Sequence, residues 1–165
     1  MYAAIDPGQA GGVAWIDRNG VVQAEKMPDT DIDFKELLVK IRTDNQDLSV
    51  AYELTGGYMP GNSGPSAAKF ARHCGMIEGV LIGMAIPTEP VTAVTWQRAI
   101  PGLPAKPNTK GITDTAKKRI LNQHKNARKN AIKSYVQMRF PHLKVTLKTA
   151  DALGVLVWLM ERRKA

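Results

Sequence analysis

Residues 2–27, YAAIDPGQAGGVAWIDRNGVVQAEKM, contain three short apolar runs separated by turn residues. The second and third runs are joined by Arg18-Asn19-Gly20, and Asn-Gly is a strong signal for a tight β-hairpin turn. The stretch therefore predicts three antiparallel strands at the start of the chain.

The residues that follow predict a helix, a fourth strand and a second helix. FKELLVKIRT, residues 34–43, places its apolar residues on one helical face, and LSVAYEL, residues 48–54, is typical of a buried strand. Residues 55–65 are rich in Gly and Pro and predict a loop, after which Ser66 can cap a helix that runs to about Gly83.

The second half of the chain is predicted to be mainly helical. In order, the pattern indicates a strand near 89–94, a basic loop rich in helix breakers over 101–112, helices at 114–123 and 126–139, and a last helix from about Thr149 to Arg163. We expect the loop to be mobile unless it is bound to something. Strands and helices alternate, so the fold class is α/β.

Composition limits the kind of protein this can be. A chain of 165 residues fits one domain, and no stretch approaches the roughly 18 apolar residues that span a bilayer. The start of the chain lacks a basic segment and an apolar signal core, and Cys74 is the only cysteine, so no internal disulfide can form. We expect a single domain, residues 1–165, that works in the cytoplasm of a bacterial or phage-infected cell without contact with a membrane.

The positive charge is concentrated in one segment. The net charge is +8, and between Arg98 and Lys144 there are 12 basic residues and one acid, Asp114. This predicts a nucleic-acid partner, because bound Lys and Arg release the counterions of phosphates; a solvated surface is the alternative. The candidate DNA contacts are Lys117, Lys118, Arg128, Lys129 and Lys133, with Lys106 and Lys110 on the loop.

Three acidic residues lie where catalytic carboxylates often occur. Asp6 ends the first apolar run before a glycine-rich turn, Glu53 ends the fourth predicted strand, and Asp151 lies in the first turn of the last helix. Each has an ordinary explanation when it is taken singly. Asp favours turns, a strand-end Glu can reach solvent, and an acid in the first turn of a helix complements the helix dipole.

Together, the three acids in this chain order resemble the metal-site pattern of RNase H-like nucleases. More narrowly, IDPG followed by GG, then FARHCGMIEGVLIGM, VTAVTWQ and ADALGVLVW resemble RuvC-type Holliday-junction resolvases, especially short phage-like members. The resemblance spans nearly the whole chain. It implies an RNase H-like fold with a mixed five-stranded sheet, in the order βββαβαβα, flanked by helices.

The same resemblance implies a function and a site. The protein would be a homodimer that cuts four-way DNA junctions and leaves 5′-phosphate and 3′-hydroxyl ends. Asp6, Glu53 and Asp151 would hold Mg²⁺ or Mn²⁺, as two ions per site with Asp6 between them, since these ions prefer oxygen ligands. Tyr58 and Met59 follow Glu53 where resolvases often carry a residue that opens the junction centre, although Tyr58 can equally anchor its own loop.

One position departs from the family. A fourth metal-site residue, commonly Asp or His, precedes the helical Asp, and the position three residues before Asp151 is Lys148. Three explanations stay open. The site works with three carboxylates plus waters and phosphate, the second metal binds weakly, or Lys148 contacts the scissile phosphate and belongs to the catalytic set.

Other functions remain as alternatives. An RNase H-like nuclease on flap, branched or hybrid substrates would use the same acids, and Lys148 raises the alternative of a catalytically impaired junction-binding module. A phosphate loop of the actin and sugar-kinase type is disfavoured, because those proteins pair two such domains. The residues to which we assign no catalytic role are His73, His124 and His142, and those that we expect in the core are Trp15, Trp96 and Trp158.

Overall fold

The computed structural model describes residues 1–44, 46–55 and 64–164. In these residues one sheet is formed by the strands β1 (Tyr2–Asp6), β2 (Gly12–Ile16), β3 (Val22–Lys26), β4 (Ser49–Glu53) and β5 (Thr88–Val91). Its strand order is β3-β2-β1-β4-β5. β2 is antiparallel to β1 and β3, whereas β4 is parallel to β1 and β5, so the predicted mixed five-stranded sheet is confirmed.

The same residues form helices that cover both faces of the sheet. They are α1 (Asp31–Asp44), α2 (Gly64–Gly83), α3 (Ala93–Trp96), α4 (Asp114–Arg139) and α5 (Ala150–Arg162), with a 3₁₀ turn at Gln97–Ala99 after α3. Of the helices described, none is long and apolar enough to cross a membrane.

The predicted hairpin between β2 and β3 is confirmed. The Asp17 carboxylate accepts hydrogen bonds from the backbone N–H groups of Asn19 and Val21, both at 2.9 Å. Gly20 has a φ of +77°, a conformation that glycine adopts without strain. The turn therefore closes on itself, and it sets the register of β2 against β3.

Alternation along the strands divides the core into two layers. Ala3 and Ile5 of β1 pack on the side of α1 and α2, whereas Ala4 of β1 and Ala51 of β4 pack on the side of α4 and α5. Small alanines on this second face let α5 lie close to the sheet. α5 is buried over nearly its whole length, as expected for a helix that is apolar on all sides.

Two predicted helix starts need correction. α1 begins at Asp31 rather than at residue 34, because the Thr30 hydroxyl accepts a hydrogen bond from the Asp33 backbone N–H at 3.1 Å and forms the cap. α2 begins at Gly64, so Ser66 lies inside the first turn of the helix and is not its cap.

The segment from the fifth strand to the end of α4 also differs from the prediction. β5 ends at Val91 instead of continuing to residue 94, because the Thr92 hydroxyl accepts from the Thr95 N–H at 3.3 Å and starts α3. The two helices predicted at 114–123 and 126–139 are one continuous helix, α4, since no breaker separates them. Its predicted end before Phe140-Pro141 is confirmed.

Candidate active site

Parallel pairing of β1 with β4 brings two of the predicted acids together. Ile5 is paired with Tyr52, and the residue after each is an acid, Asp6 and Glu53. Asp6 lies two positions after Ala4, and Glu53 two positions after Ala51, so both acids belong to the sheet face that α5 covers. Neighbouring strands therefore end in two carboxylates on the same face.

The start of α5 brings the third acid to the same place. Gly12 is paired with Asp6 across β1 and β2. A Cβ atom on Gly12 would lie 2.7 Å from the Lys148 carbonyl oxygen, so the backbone that leads into α5 lies directly against the sheet at this point. Asp151 follows in the first turn of α5 and faces the end of β1.

The glycine-rich turn after Asp6 has a specific steric requirement. A Cβ atom on Gly11 would lie 2.0 Å from the Asp6 carbonyl oxygen and 3.1 Å from its Cγ. Gly8 has a φ of +105°, and its carbonyl accepts a hydrogen bond from the Gly11 N–H at 3.0 Å. The turn can fold back over the Asp6 carboxylate only because position 11 has no side chain.

The three carboxylates influence one another electrostatically. Burial raises the pKa of Asp6 well above its usual value, and the charges of Asp151 and Glu53 raise it further. Burial also raises the pKa of Glu53, with a smaller contribution from Asp151, and burial raises the pKa of Asp151. The site therefore concentrates negative charge that a cation can relieve.

Lys129 of α4 is the lysine that lies near all three acids. Its charge lowers the pKa of Asp6, Glu53 and Asp151, against the larger effect of burial. The side chain is partly buried, and Lys133, one helical turn further along α4, is partly buried as well. The sequence predicted Lys129 only as one of seven DNA contacts, and the structure distinguishes it from the others.

The remaining basic candidates lie in two different settings. The exposed ones are Lys106, Lys110, Lys117 and Lys118. Arg128 is partly buried and already bound, since its Nη1 donates to the Pro104 carbonyl at 2.7 Å and its Nη2 donates to Gln97 Oε1. Arg128 thus holds the 101–112 loop against α4, an internal contact that the sequence did not predict.

Lys148 lies on the exposed surface, and its charge acts on Asp29. The pKa of Asp29 is lowered by its hydrogen bond and ion pair with Lys26, and Lys148 adds a smaller effect. For the three carboxylates, the lysine that shifts the pKa is Lys129 and not Lys148. Direct contact of Lys148 with a phosphate stays a prediction.

Trp96 contacts one of the three acids, although the sequence predicted it only as a core residue. It is completely buried, and its indole Nε1 donates a hydrogen bond to Glu53 Oε2 at 2.7 Å. This bond lowers the pKa of Glu53, partly offsetting burial. The general tendency of a buried tryptophan N–H to find a partner signals such a bond, but the sequence does not name the partner.

The other predicted residues have structural surroundings or lie outside the described part. Trp15 is buried, whereas Trp158 is partly buried with the Arg162 guanidinium 5.4 Å from its ring centre. His124 and His142 contact backbone carbonyls, those of Pro104 and Val22. Tyr58 and Met59 lie outside the described residues.

The donor set fits a hard divalent cation by its chemistry. Asp6, Glu53 and Asp151 offer only carboxylate oxygens, and each remains partly accessible. Within residues 1–44, 46–55 and 64–164, however, no three His, Cys, Asp or Glu side chains lie close enough together to enclose an ion. A bound ion would have to draw the three carboxylates closer together.

Comparison with known proteins identifies the fold. No family model and no curated protein matches the chain. Among solved structures it is similar to Thermus thermophilus RuvC in complex with Holliday junction substrate, with a TM-score of 0.55 and 13% identity over 99% of this chain and 96% of that one. A second Thermus thermophilus RuvC structure gives a TM-score of 0.54 and 15% identity over 99% and 95%. The chain therefore has a RuvC-like, RNase H-like fold.

Proposed function

We propose that this protein is a metal-dependent, structure-selective endonuclease that resolves four-way DNA junctions by hydrolysing phosphodiester bonds. Residues 1–165 would form one nuclease domain of the short, phage-like RuvC type, acting in the cytoplasm of a bacterial or phage-infected cell. The observation that carries the proposal is that Asp6 and Glu53 end neighbouring strands on the sheet face that α5 covers, with Asp151 in the first turn of α5.

The electrostatics of this site support phosphate chemistry. Burial raises the pKa of all three carboxylates, and the charges of Asp151 and Glu53 raise that of Asp6 further, so their ionised forms are costly unless a cation neutralises them; Mg²⁺ or Mn²⁺ binds such oxygens. We propose that the site would hold two ions, with Asp6, Glu53 and Asp151 as their ligands. When bound, such a pair of ions would supply an activated water and stabilise the leaving oxygen of the cleaved strand.

The residues of the chain itself would divide the remaining work. Asp6, Glu53 and Asp151 would hold the ions, and the ammonium group of Lys129 would bind a non-bridging oxygen of the scissile phosphate. Water would add to phosphorus while the bond to the 3′ oxygen breaks. The attacking water would lose its proton to solvent and the 3′ oxygen would take one from solvent, which gives 3′-hydroxyl and 5′-phosphate ends. Lys148, at the entrance to α5, would contact the phosphate or a neighbouring one.

The basic surface of α4 and of the loop before it supports binding of DNA. α4 carries exposed lysines at 117 and 118 and the partly buried Lys133, and the adjoining loop carries Lys106 and Lys110. Phosphates held along this surface would release counterions, so junction binding should weaken as salt is raised. We propose that Tyr58 and Met59 enter the junction centre and that two copies act on opposite arms.

A catalytically impaired junction-binding module is the second candidate, and Lys148 is the observation that favours it. A lysine at the position of a fourth metal ligand leaves the site with one ligand fewer. In the described residues, no three potential ligands already lie close enough together to hold an ion. Such a module would bind junctions through the same lysines but would not cut them.

A panel of substrates tests the proposal. A synthetic four-way junction, a flap, an RNA–DNA hybrid and a linear duplex are incubated with the protein in Mg²⁺, in Mn²⁺ and in EDTA. Paired nicks on the junction that DNA ligase can reseal are the expected result, with no cutting in EDTA. Preferential cutting of the flap or hybrid would overturn the junction assignment, and binding without cutting would favour the module.

A further inference from the structure

Glu53 is held by a side chain that the proposed chemistry does not use. The Trp96 indole Nε1 donates to Glu53 Oε2 at 2.7 Å, and the whole Trp96 side chain is excluded from solvent. Most side-chain hydrogen bonds in proteins go to backbone groups or to water. Here the acceptor is one of the three clustered carboxylates.

Contact with α5 keeps the indole ring in place. A Cβ atom on Gly154 would lie 2.5 Å from Cζ3 of Trp96, so any side chain at position 154 would occupy the space of the ring. Gly154 lies three residues after Asp151 and therefore on nearly the same face of α5. The ring is thus packed against the helix that carries Asp151 while its N–H holds Glu53.

The backbone that carries Trp96 is fixed as well. Thr92 caps α3 through the hydrogen bond from the Thr95 N–H to its hydroxyl. Directly after Trp96, Gln97 accepts a hydrogen bond from Arg128, the residue before Lys129. The short α3 segment therefore contacts Glu53 through one residue and the lysine-bearing helix through the next.

We propose that Trp96 is a positioning residue, which fixes the Glu53 carboxylate by occupying Oε2 and leaves Oε1 available to a divalent ion. The inference rests on the proposed metal site and extends it to a residue that does not touch substrate. A metal ligand gains affinity when a second group orients it in advance, because less freedom is lost on binding. Without its indole N–H partner, Glu53 can rotate away from Asp6 and Asp151.

The test compares two tryptophan replacements in the full-length chain. Trp96→Phe keeps an aromatic side chain at position 96 and removes the N–H donor. Trp158→Phe is the matched control, because Trp158 lies on α5 and contacts Arg162. Binding of Mn²⁺ is titrated by its electron paramagnetic resonance signal without DNA. We expect Trp96→Phe to weaken binding about 10- to 100-fold and Trp158→Phe to leave it unchanged.

A double-mutant cycle separates positioning from general loss of stability. Trp96→Phe leaves a void and lowers Tm in either case. If Trp96 acts through Glu53, its effect on Mn²⁺ affinity should largely vanish in a Glu53→Gln background, since position 53 then no longer offers the carboxylate that Trp96 orients. Equal effects of Trp96→Phe in both backgrounds would overturn the inference, as would unchanged Mn²⁺ affinity in Trp96→Phe alone.

The indole N–H resonances report on the hydrogen bond itself. In a ¹⁵N-labelled protein, the signal that disappears in Trp96→Phe belongs to Trp96, and it should move on Glu53→Gln and on addition of Mg²⁺. A Trp96 signal that responds to neither would contradict the proposal. Wild-type protein that binds no divalent ion would instead count against the proposed function, while the response to Glu53→Gln would still report the contact.

Discussion

The ammonium group of Lys129 lowers the pKa of Asp6, although Lys129 lies in the middle of α4 and Asp6 ends β1. The same lysine acts on Glu53 and Asp151, so three carboxylates share one nearby lysine. The positive charge of Lys129 offsets the negative charge of the three carboxylates only in part. This leaves the site attractive to further cations and gives it one fixed positive group for a phosphate.

Replacement of this lysine should therefore affect catalysis more than DNA binding. We expect Lys129→Met to reduce the rate of junction cleavage by about 10- to 1,000-fold, because a preorganised charge near the reacting phosphate is lost. The measurement is single-turnover cleavage at saturating protein, together with the junction Kd by mobility shift.

Lys118→Met is the control, on the exposed surface of the same helix. It should leave the single-turnover rate nearly unchanged and reduce the salt dependence of binding by about one phosphate contact. If both variants cleaved at the wild-type rate, Lys129 would be one more surface contact and not part of the site.

The raised pKa of Asp6 has a consequence for stability. A carboxyl whose pKa is higher in the folded state favours folding fully at pH below its unfolded pKa, and this contribution is lost as pH rises through the folded pKa. At pH 7 without metal, Asp6→Asn should therefore raise Tm by a few degrees, since roughly 2–4 °C corresponds to about 1 kcal/mol in a chain of this size.

Two conditions check that this gain is electrostatic. The increase in Tm should shrink below about pH 4, where wild-type Asp6 is protonated in both the folded and the unfolded state. It should also shrink in saturating Mn²⁺, because the ion stabilises only the native wild type. Asp17→Asn is the contrast, because hydrogen bonds from Gln23 and Val21 lower the pKa of Asp17, so its charge favours the folded state. A lower Tm for Asp6→Asn at pH 7 without metal would contradict the assignment.

The steric requirement at Gly11 predicts a glycine that cannot be replaced. Gly11→Ala places a methyl group against the Asp6 backbone and should displace the carboxylate, lowering cleavage by at least about 10-fold and lowering Tm. Gly79→Ala is the comparison, since a Cβ atom there meets nothing within 4 Å and a helical Gly→Ala change favours folding by about 0.5–1 kcal/mol. Both are measured by thermal melting and junction cleavage, and equal behaviour would refute the requirement.

Arg128 is expected to act on the loop and not directly on phosphate. Arg128→Met removes the hydrogen bond to Pro104, which holds the 101–112 loop to α4, and the hydrogen bond to Gln97 in the 3₁₀ turn before the loop. Amide hydrogen exchange in the loop should increase, and junction affinity should fall with little change in its salt dependence. If the salt dependence of junction affinity fell by the equivalent of one released counterion, and amide exchange in the loop stayed unchanged, Arg128 would be a phosphate contact after all.

The main features of the fold and the acids of the site could be predicted from sequence because they follow from strand order. Alternation along a strand places Asp6 and Glu53 on one face, and their positions at strand ends place them at one edge. The Asn19-Gly20 turn and the apolar α5 are equally local signals. The strand at residues 92–94 was predicted wrongly because a threonine cap outweighed the β-propensity of the segment.

The basic side of the site could not be predicted in the same way. α4 carries basic residues around much of its circumference, and only its packing against α5 determines that Lys129 faces the carboxylates while Arg128 faces the loop. The Trp96 contact likewise depends on how the short α3 segment lies against α5. Such relations arise from tertiary packing between distant segments, for which the sequence has no periodic signal.

The most direct test of the proposed active site is single-turnover cleavage of a synthetic four-way junction in Mg²⁺ by wild-type protein, Asp6→Asn and the control Asp17→Asn. We predict that wild type and Asp17→Asn nick the junction at the same rate. Asp6→Asn should bind it within a few-fold of wild type but cut it slower by about three orders of magnitude or more. Normal cleavage by Asp6→Asn would contradict the assignment of the three carboxylates as the catalytic site.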